Sequence, residues 1–112
     1  MSDTNPLTGC CTSLTPEVDT TVLERDVEVA SALANETRYE LLRLLVAADG
    51  EVCACEFVGS VDASQSTVSR GLSTLYEAGL TTRRKEGQWR YYAPAEAAER
   101  LLETFDAIRE GR

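Results

Sequence analysis

Residues 51–92, EVCACEFVGSVDASQSTVSRGLSTLYEAGLTTRRKEGQWRYY, decide how this chain folds. The run opens on a thiol pair, Cys53-Ala54-Cys55. Ala54, Phe57, Val58 and Val61 then recur at helical spacing, the stripe of a short helix lying against a core. Asp62-Ala63 makes a turn. Ser64 is placed to cap a further helix running to about Ala78; Gly79 stops it and Leu80 returns to the core. Thr81–Arg84 and Gln88–Tyr92 have the composition of strands around Glu86-Gly87, a hairpin. Strand alternation puts Trp89 and Tyr91 on one of its faces and Arg90 and Tyr92 on the other.

The second of these helices has two unlike faces. Val68, Leu72 and Leu75 share one, at about 100° per residue, and Ser66, Ser69, Arg70 and Ser73 fall broadly opposite. Serine is a poor helix former, and ordinary solvent faces are charged and salt-bridged, so a serine-rich face needs another reason. Contact with DNA supplies one. Small hydroxyls let a backbone approach a major groove closely, and Arg70 can reach guanine or phosphate. Ser64, Gln65 and Thr67 lie in the first turn, where exposed N–H groups favour phosphate. The hairpin adds Arg83, Arg84, Lys85 and Arg90, cations suited to a phosphate backbone. Alone it would read as a solvated charged turn. Helix, turn, helix, hairpin is the order of a winged helix-turn-helix, mainly α with a small β-hairpin, and the partner it predicts is double-stranded operator DNA.

Upstream, Thr15-Pro16-Glu17 has the signature of a helix start, and Val22, Leu23, Val27, Ala30 and Leu33 make a weak stripe to follow it. Asn35 caps a second helix. That helix carries Tyr39, Leu41, Leu42, Leu44, Leu45 and Val46 around most of its circumference, which predicts the buried centre of the domain. Asp49-Gly50 ends it. Downstream, Pro94 allows a last helix from about Ala95 to Arg109. Its apolar stripe, Ala98, Leu101, Leu102, Phe105 and Ile108, needs a partner, in its own domain or on a second subunit. Residues 1–15 read as a flexible arm carrying Cys10 and Cys11, and residues 16–112 as the winged domain.

A length of 112 residues fits one domain. No apolar run approaches membrane-spanning length and the N-terminus lacks a secretory pattern, so the expected location is cytoplasmic. The net charge of −8 is unevenly spread, because residues 64–92 carry Arg70, Arg83, Arg84, Lys85 and Arg90 against only Glu77 and Glu86. A basic patch on an acidic body is still an electrostatic footprint for phosphate. With 19 acids and Lys85 as its one lysine, the composition suits a high-salt cytoplasm, where self-repulsion is screened. The chain has 4 cysteines and no histidine. Their clustering as Cys10-Cys11 and Cys53-x-Cys55 suits thiophilic ions, against the alternatives of buried packing or a redox switch. No nucleophile–base pair and no glycine-rich phosphate loop is present, so an enzyme is not expected.

Taken together, these runs resemble the ArsR/SmtB family of metal-responsive bacterial and archaeal repressors. The resemblance rests on Ser31–Leu42, Glu51–Phe57, Ser64–Ser69 with Leu72 and Leu75, and Glu77-Ala78-Gly79-Leu80 with the hairpin behind it, and covers roughly residues 22–109. It implies a homodimer built from the first and last helices, binding a palindromic operator and leaving it when metal binds. Gly71 departs from the pattern, many members having a larger residue there. The family's histidine-containing site on the last helix has no counterpart here. Its Cys-x-Cys site at the third helix does, in Cys53 and Cys55.

Residues two apart on a regular helix diverge, so Cys53 and Cys55 can share an ion only if Cys53 lies at or before the helix start or the first turn distorts. Arsenic repressors of the family often have another cysteine at the position of Val58. The resemblance therefore implies that Cys10 or Cys11 completes a site for As(III) or Sb(III). Cd(II), Pb(II) or Zn(II), bound with arm cysteines, is the alternative.

Overall fold

The computed structural model describes Ser13, Leu14 and residues 17–111. Cys10, Cys11 and the expected helix start at Thr15-Pro16 lie outside them. The first described helix, α1 (Thr20–Leu33), begins at Asp19, whose carboxylate accepts from the backbone N–H groups of Thr21 and Val22. Glu17, Val18 and Asp19 are not helical, and a carboxylate at the N-cap satisfies two otherwise free donors. The α1 stripe is also placed differently. Val22, Leu23 and Val27 are each about half exposed, and Ala32 is the buried residue of this helix.

Asn35 starts α2 (Glu36–Ala47), its side-chain oxygen accepting from the N–H of Arg38. Arg38 reaches back in turn, Nε donating to the Ala32 carbonyl at 2.8 Å and Nη2 to the Ser31 carbonyl at 3.1 Å. One side chain thereby closes the end of α1 and fixes its angle to α2. Leu41, Leu42 and Leu45 are wholly buried, which makes α2 the central element, as its composition predicts. Each such leucine contributes roughly 1.5–3 kcal/mol of apolar burial.

A strand follows that the sequence does not announce. β1 (Val52–Cys53) pairs antiparallel with β3 (Trp89–Pro94), and β3 pairs with β2 (Thr81–Glu86), giving the sheet order β1-β3-β2. Between β1 and the hairpin lie α3 (Ala54–Phe57) and α4 (Gln65–Glu77); α5 (Glu96–Arg109) ends the fold. The hairpin strands run longer than expected. Glu86 pairs with Trp89, so the turn is Gly87-Gln88, with Gly87 at φ 61°, a conformation that costs a glycine little. Tyr92 is buried, whereas Trp89 near the turn is 48% exposed. The packed hairpin face is therefore Tyr92's, and Arg90 on that same face is exposed because it lies out beyond the body.

Val68, Leu72 and Leu75 of α4 are buried against α2. Gly71 lets the two helices approach: a Cβ there would stand 3.0 Å from Leu41 Cδ1 and 3.4 Å from Arg38 Cγ. The α5 stripe divides. Ala98 and Leu102 are buried, Leu101 and Phe105 are partly covered, and Ile108 is 65% exposed. The Tyr39 and Phe105 rings meet edge-on at 5.6 Å, and Arg43 joins Tyr39 to Asp106, tying α5 to α2. Among the described residues, no helix is long and apolar enough to cross a membrane.

Candidate functional site

Cys53 ends β1 and is also the N-cap of α3. Two restraints hold it. Its backbone is paired with Tyr91 of β3, and its N–H donates to the Glu56 carboxylate at 3.1 Å. Its sulfur accepts from the Cys55 N–H at 3.4 Å. Because Cys53 precedes the helix, the divergence of residues two apart does not apply. The two sulfurs face each other at 2.7 Å, Cys53 buried and Cys55 exposed. The Cys55 thiol is pushed above the ordinary range, first by its hydrogen bond with Cys53, then by partial desolvation and by repulsion from Cys53 and Glu56. The two sulfurs are aimed at one point, the geometry that the cap condition on Cys53 requires.

Val58, one turn on, is partly exposed and adds no donor. Among the described residues, no three His, Cys, Asp or Glu side chains gather into a group able to hold a metal ion. Cys53 and Cys55 could supply two donors to a soft-metal site, and further ones would have to come from elsewhere. The thiolates Cys10 and Cys11 lie outside the described residues.

The candidate DNA-contacting residues lie on two elements, α4 and the β2–β3 hairpin. Ser64 caps α4, Oγ accepting from the Thr67 N–H at 3.2 Å and donating to Thr67 Oγ1 at 2.9 Å. Gln65, Ser66, Ser69 and Arg70 are exposed on α4, while Thr67 and Ser73 are half-buried. The hairpin cations divide into two kinds. Arg84 donates to both carboxylate oxygens of Glu51, bonds Glu86 at 2.8 Å and lies 4.7 Å from the Tyr91 ring centre. Those carboxylates hold its guanidinium well above its usual range and pull Glu51 below the usual carboxylate range. Arg83 covers the Tyr76 ring at 4.1 Å. Lys85, Arg90 and Arg70 make no ion pair with another described residue. Arg84 is thus a brace between the β1 end and the hairpin, a role invisible in sequence because Glu51 is 33 positions away.

Thiols and reader meet in one groove. A cavity of about 420 Å³ is walled by the α3 segment (Cys53, Cys55, Val58), by α4 (Gln65, Ser69) and by the hairpin around Trp89. The sequence places these parts within 40 residues without showing that they share a space. Gln88 and Trp89 also line this groove, although the sequence reading gave them no role in a site.

Residues 35–82 match the family described as "Bacterial regulatory protein, arsR family". A Halobacterium salinarum protein named "Putative arsenical resistance operon repressor ArsR2" is 52% identical over 101 residues, covering 90% of this chain and 84% of that protein. The Escherichia coli "Arsenical resistance operon repressor" is 36% identical over 89 residues, 75% of either chain. Among solved structures, the homodimeric winged helix-turn-helix DNA-binding domain Mb0332 of Mycobacterium bovis, titled "a possible ArsR-family transcriptional regulator", aligns with a TM-score of 0.73 at 27% identity, over 88% of this chain and 91% of that one.

Proposed function

The chain belongs to the ArsR family of transcriptional regulators, and on that premise we propose that it is a homodimeric repressor released from its operator by arsenite or antimonite bound to cysteine thiolates. It is a DNA-binding regulator of transcription and not an enzyme. One observation carries the choice of sensor site: the facing sulfurs of Cys53 and Cys55 at the joint between β1 and α3. Thiolates are the donors that soft, thiophilic ions prefer. Cys10 or Cys11 is proposed as the source of the remaining thiolate.

Release follows from what each thiol is attached to. An ion held by both thiolates fixes the separation and direction of the two sulfurs. Cys53 is laddered to β3, the inner hairpin strand, and Cys55 is on α3, which packs against α4. Fixing the pair therefore constrains the relation between reading helix and wing. A coupling of about 1–3 kcal/mol, common for such switches, lowers DNA affinity roughly 5- to 150-fold.

The second subunit is supported by the surface of α1 and α5. Val22, Leu23, Val27 and Ile108 are exposed, and an apolar groove of about 550 Å³ runs between Val29, Leu33, Leu101 and Phe105. A contiguous apolar face of this kind suits a self-complementary contact.

The test is release from a DNA site selected by the protein out of a random pool, under reducing conditions, with As(III), Sb(III), Cd(II), Pb(II) and Zn(II) in turn. Arsenite or antimonite should release wild-type protein, and the Cys55→Ser protein should remain bound at the same concentrations. Release by Cd(II) or Pb(II) alone would transfer the role to those ions. Release by peroxide and by no ion would make the pair a redox switch.

A further inference from the structure

We propose that the groove between α4 and the hairpin seats one sugar–phosphate strand of the operator, so that bound DNA closes over the Cys55 thiol and the free repressor, not the DNA-bound one, captures the inducer. The first half rests on the DNA-binding activity of the family, and the second adds the thiol reading above. The lining of the groove carries the argument. The chain holds 19 acids and a net charge of −8, yet among the described residues no carboxylate lines this groove. It is lined instead by hydrogen-bond donors: the amides of Gln65 and Gln88, the Ser69 hydroxyl, and Arg90. These residues are exposed. The side chains of Gln65, Ser69 and Gln88 make no hydrogen bond to another described residue, and Arg90 makes no ion pair with one. Unengaged donors with no acid among them are the chemistry that contacts a phosphate backbone. Trp89, 48% exposed, adds an apolar surface of the kind a deoxyribose packs against.

The placement of the groove assigns that backbone to the operator. A major groove admits one helix, and a phosphate strand bounds it on either side. A hairpin standing beside the reading helix therefore meets the duplex across one of those strands. That strand runs between Ser69 and Trp89, over the cavity of about 420 Å³ that both residues line. Cys55 is exposed at the same cavity, and Cys53 is already buried. A strand seated there takes away the solvent access of the remaining thiol. DNA and inducer then exclude each other at one groove, in addition to the coupling through β1 and α3.

The experiment uses the full chain, reduced with a phosphine, and the selected DNA site, with iodoacetamide as the probe of Cys55 and no metal ion added. Peptide mass spectrometry scores Cys53 and Cys55 apart from Cys10 and Cys11. With DNA at about ten times its Kd the free fraction is about a tenth, so alkylation of Cys55 should slow about ten-fold. Gln88→Glu, at an exposed turn position, should weaken binding to the selected site and to random duplex by the same factor, about ten-fold, because a backbone contact is blind to sequence. Trp89→Ala is the parallel variant, with the same uniform loss expected. Arsenite added to the preformed complex should release DNA no faster than an excess of competitor duplex does. Unchanged alkylation in the saturated complex, a loss of affinity confined to the selected site or absent in both variants, or release that accelerates with arsenite concentration would overturn the proposal. If arsenite releases no DNA at all, the inorganic sensor reading fails, and the alkylation and affinity results still decide whether the groove seats DNA.

Discussion

At the scale of the residue, two positions show how much depends on where a side chain sits. Cys53 works as a metal ligand candidate because it is an N-cap and not a helix residue; one position further into the helix, its sulfur would point away from Cys55. Gly71 matters for what it lacks. With Leu41 Cδ1 3.0 Å from the place of a Cβ, Gly71→Leu should destabilise the fold by about 1–3 kcal/mol in urea unfolding. Gly71→Ala should come out near neutral, because a gain of about 1 kcal/mol in helix propensity opposes the compression. A Gly71→Leu protein as stable as wild type would show that α2 and α4 can part without cost. Asp106 gives a pH signature. Arg43 and then Arg109 hold its carboxyl below the usual range. A depressed folded pKa contributes stability that is present above the ordinary aspartate value of about 3.9 and lost as pH falls through the folded value. The stability difference between wild type and Asp106→Asn should therefore be constant near neutral pH and shrink in acid below that value. A difference that persists unchanged at low pH would assign the effect of the substitution to packing.

At the scale of the element, the hairpin is two devices in one. Its base is a brace, with Arg84 between Glu51 and Glu86 and Tyr91 beneath. Its outer part carries Lys85 and Arg90, which meet no carboxylate among the described residues. Counterion release makes the two separable, since each phosphate contact contributes about 0.9 to the salt slope of DNA binding. Lys85→Ala should lower that slope by about one contact, whereas Arg84→Ala should leave it nearly unchanged. An equal loss of slope in both would place Arg84 on phosphate and dissolve the brace. The two-residue strand β1 is the other element whose role exceeds its size. Through the strand pairing Cys53↔Tyr91 it is a direct link between the thiols and the wing, and α3 is the corresponding link to the reading helix.

At the scale of the whole molecule, the domain has one core around α2 and an outer apolar face on α1 and α5. Val27→Asp changes a residue that is 54% exposed, so the isolated fold should survive, with far-UV circular dichroism unchanged. Sedimentation should then report a monomer, and affinity for a two-half-site DNA should fall on the order of 100-fold as the second contact becomes independent. A Val27→Asp protein that remains dimeric would move the interface off this face. Much of this architecture was legible in the chain itself. Asn35 and Ser64 as caps, the buried leucines of α2, and the apolar and serine faces of α4 all follow from local spacing, because helices obey a short-range period. The winged helix-turn-helix order was legible for the same reason: its parts are near neighbours in the chain. What the tertiary structure decided depends on pairs far apart in sequence. Strand β1 exists only because β3 is beside it, Arg84 is a brace only because Glu51 folds against it, and the α1 stripe faces outward because Ala32 and Arg38 set the helix angle. The thiol pair belongs to both levels. The chain alone shows two cysteines at a spacing that a regular helix would split. Pairing of Cys53 with Tyr91 ends the strand at that residue, makes it a cap, and so turns both sulfurs to one point in the groove.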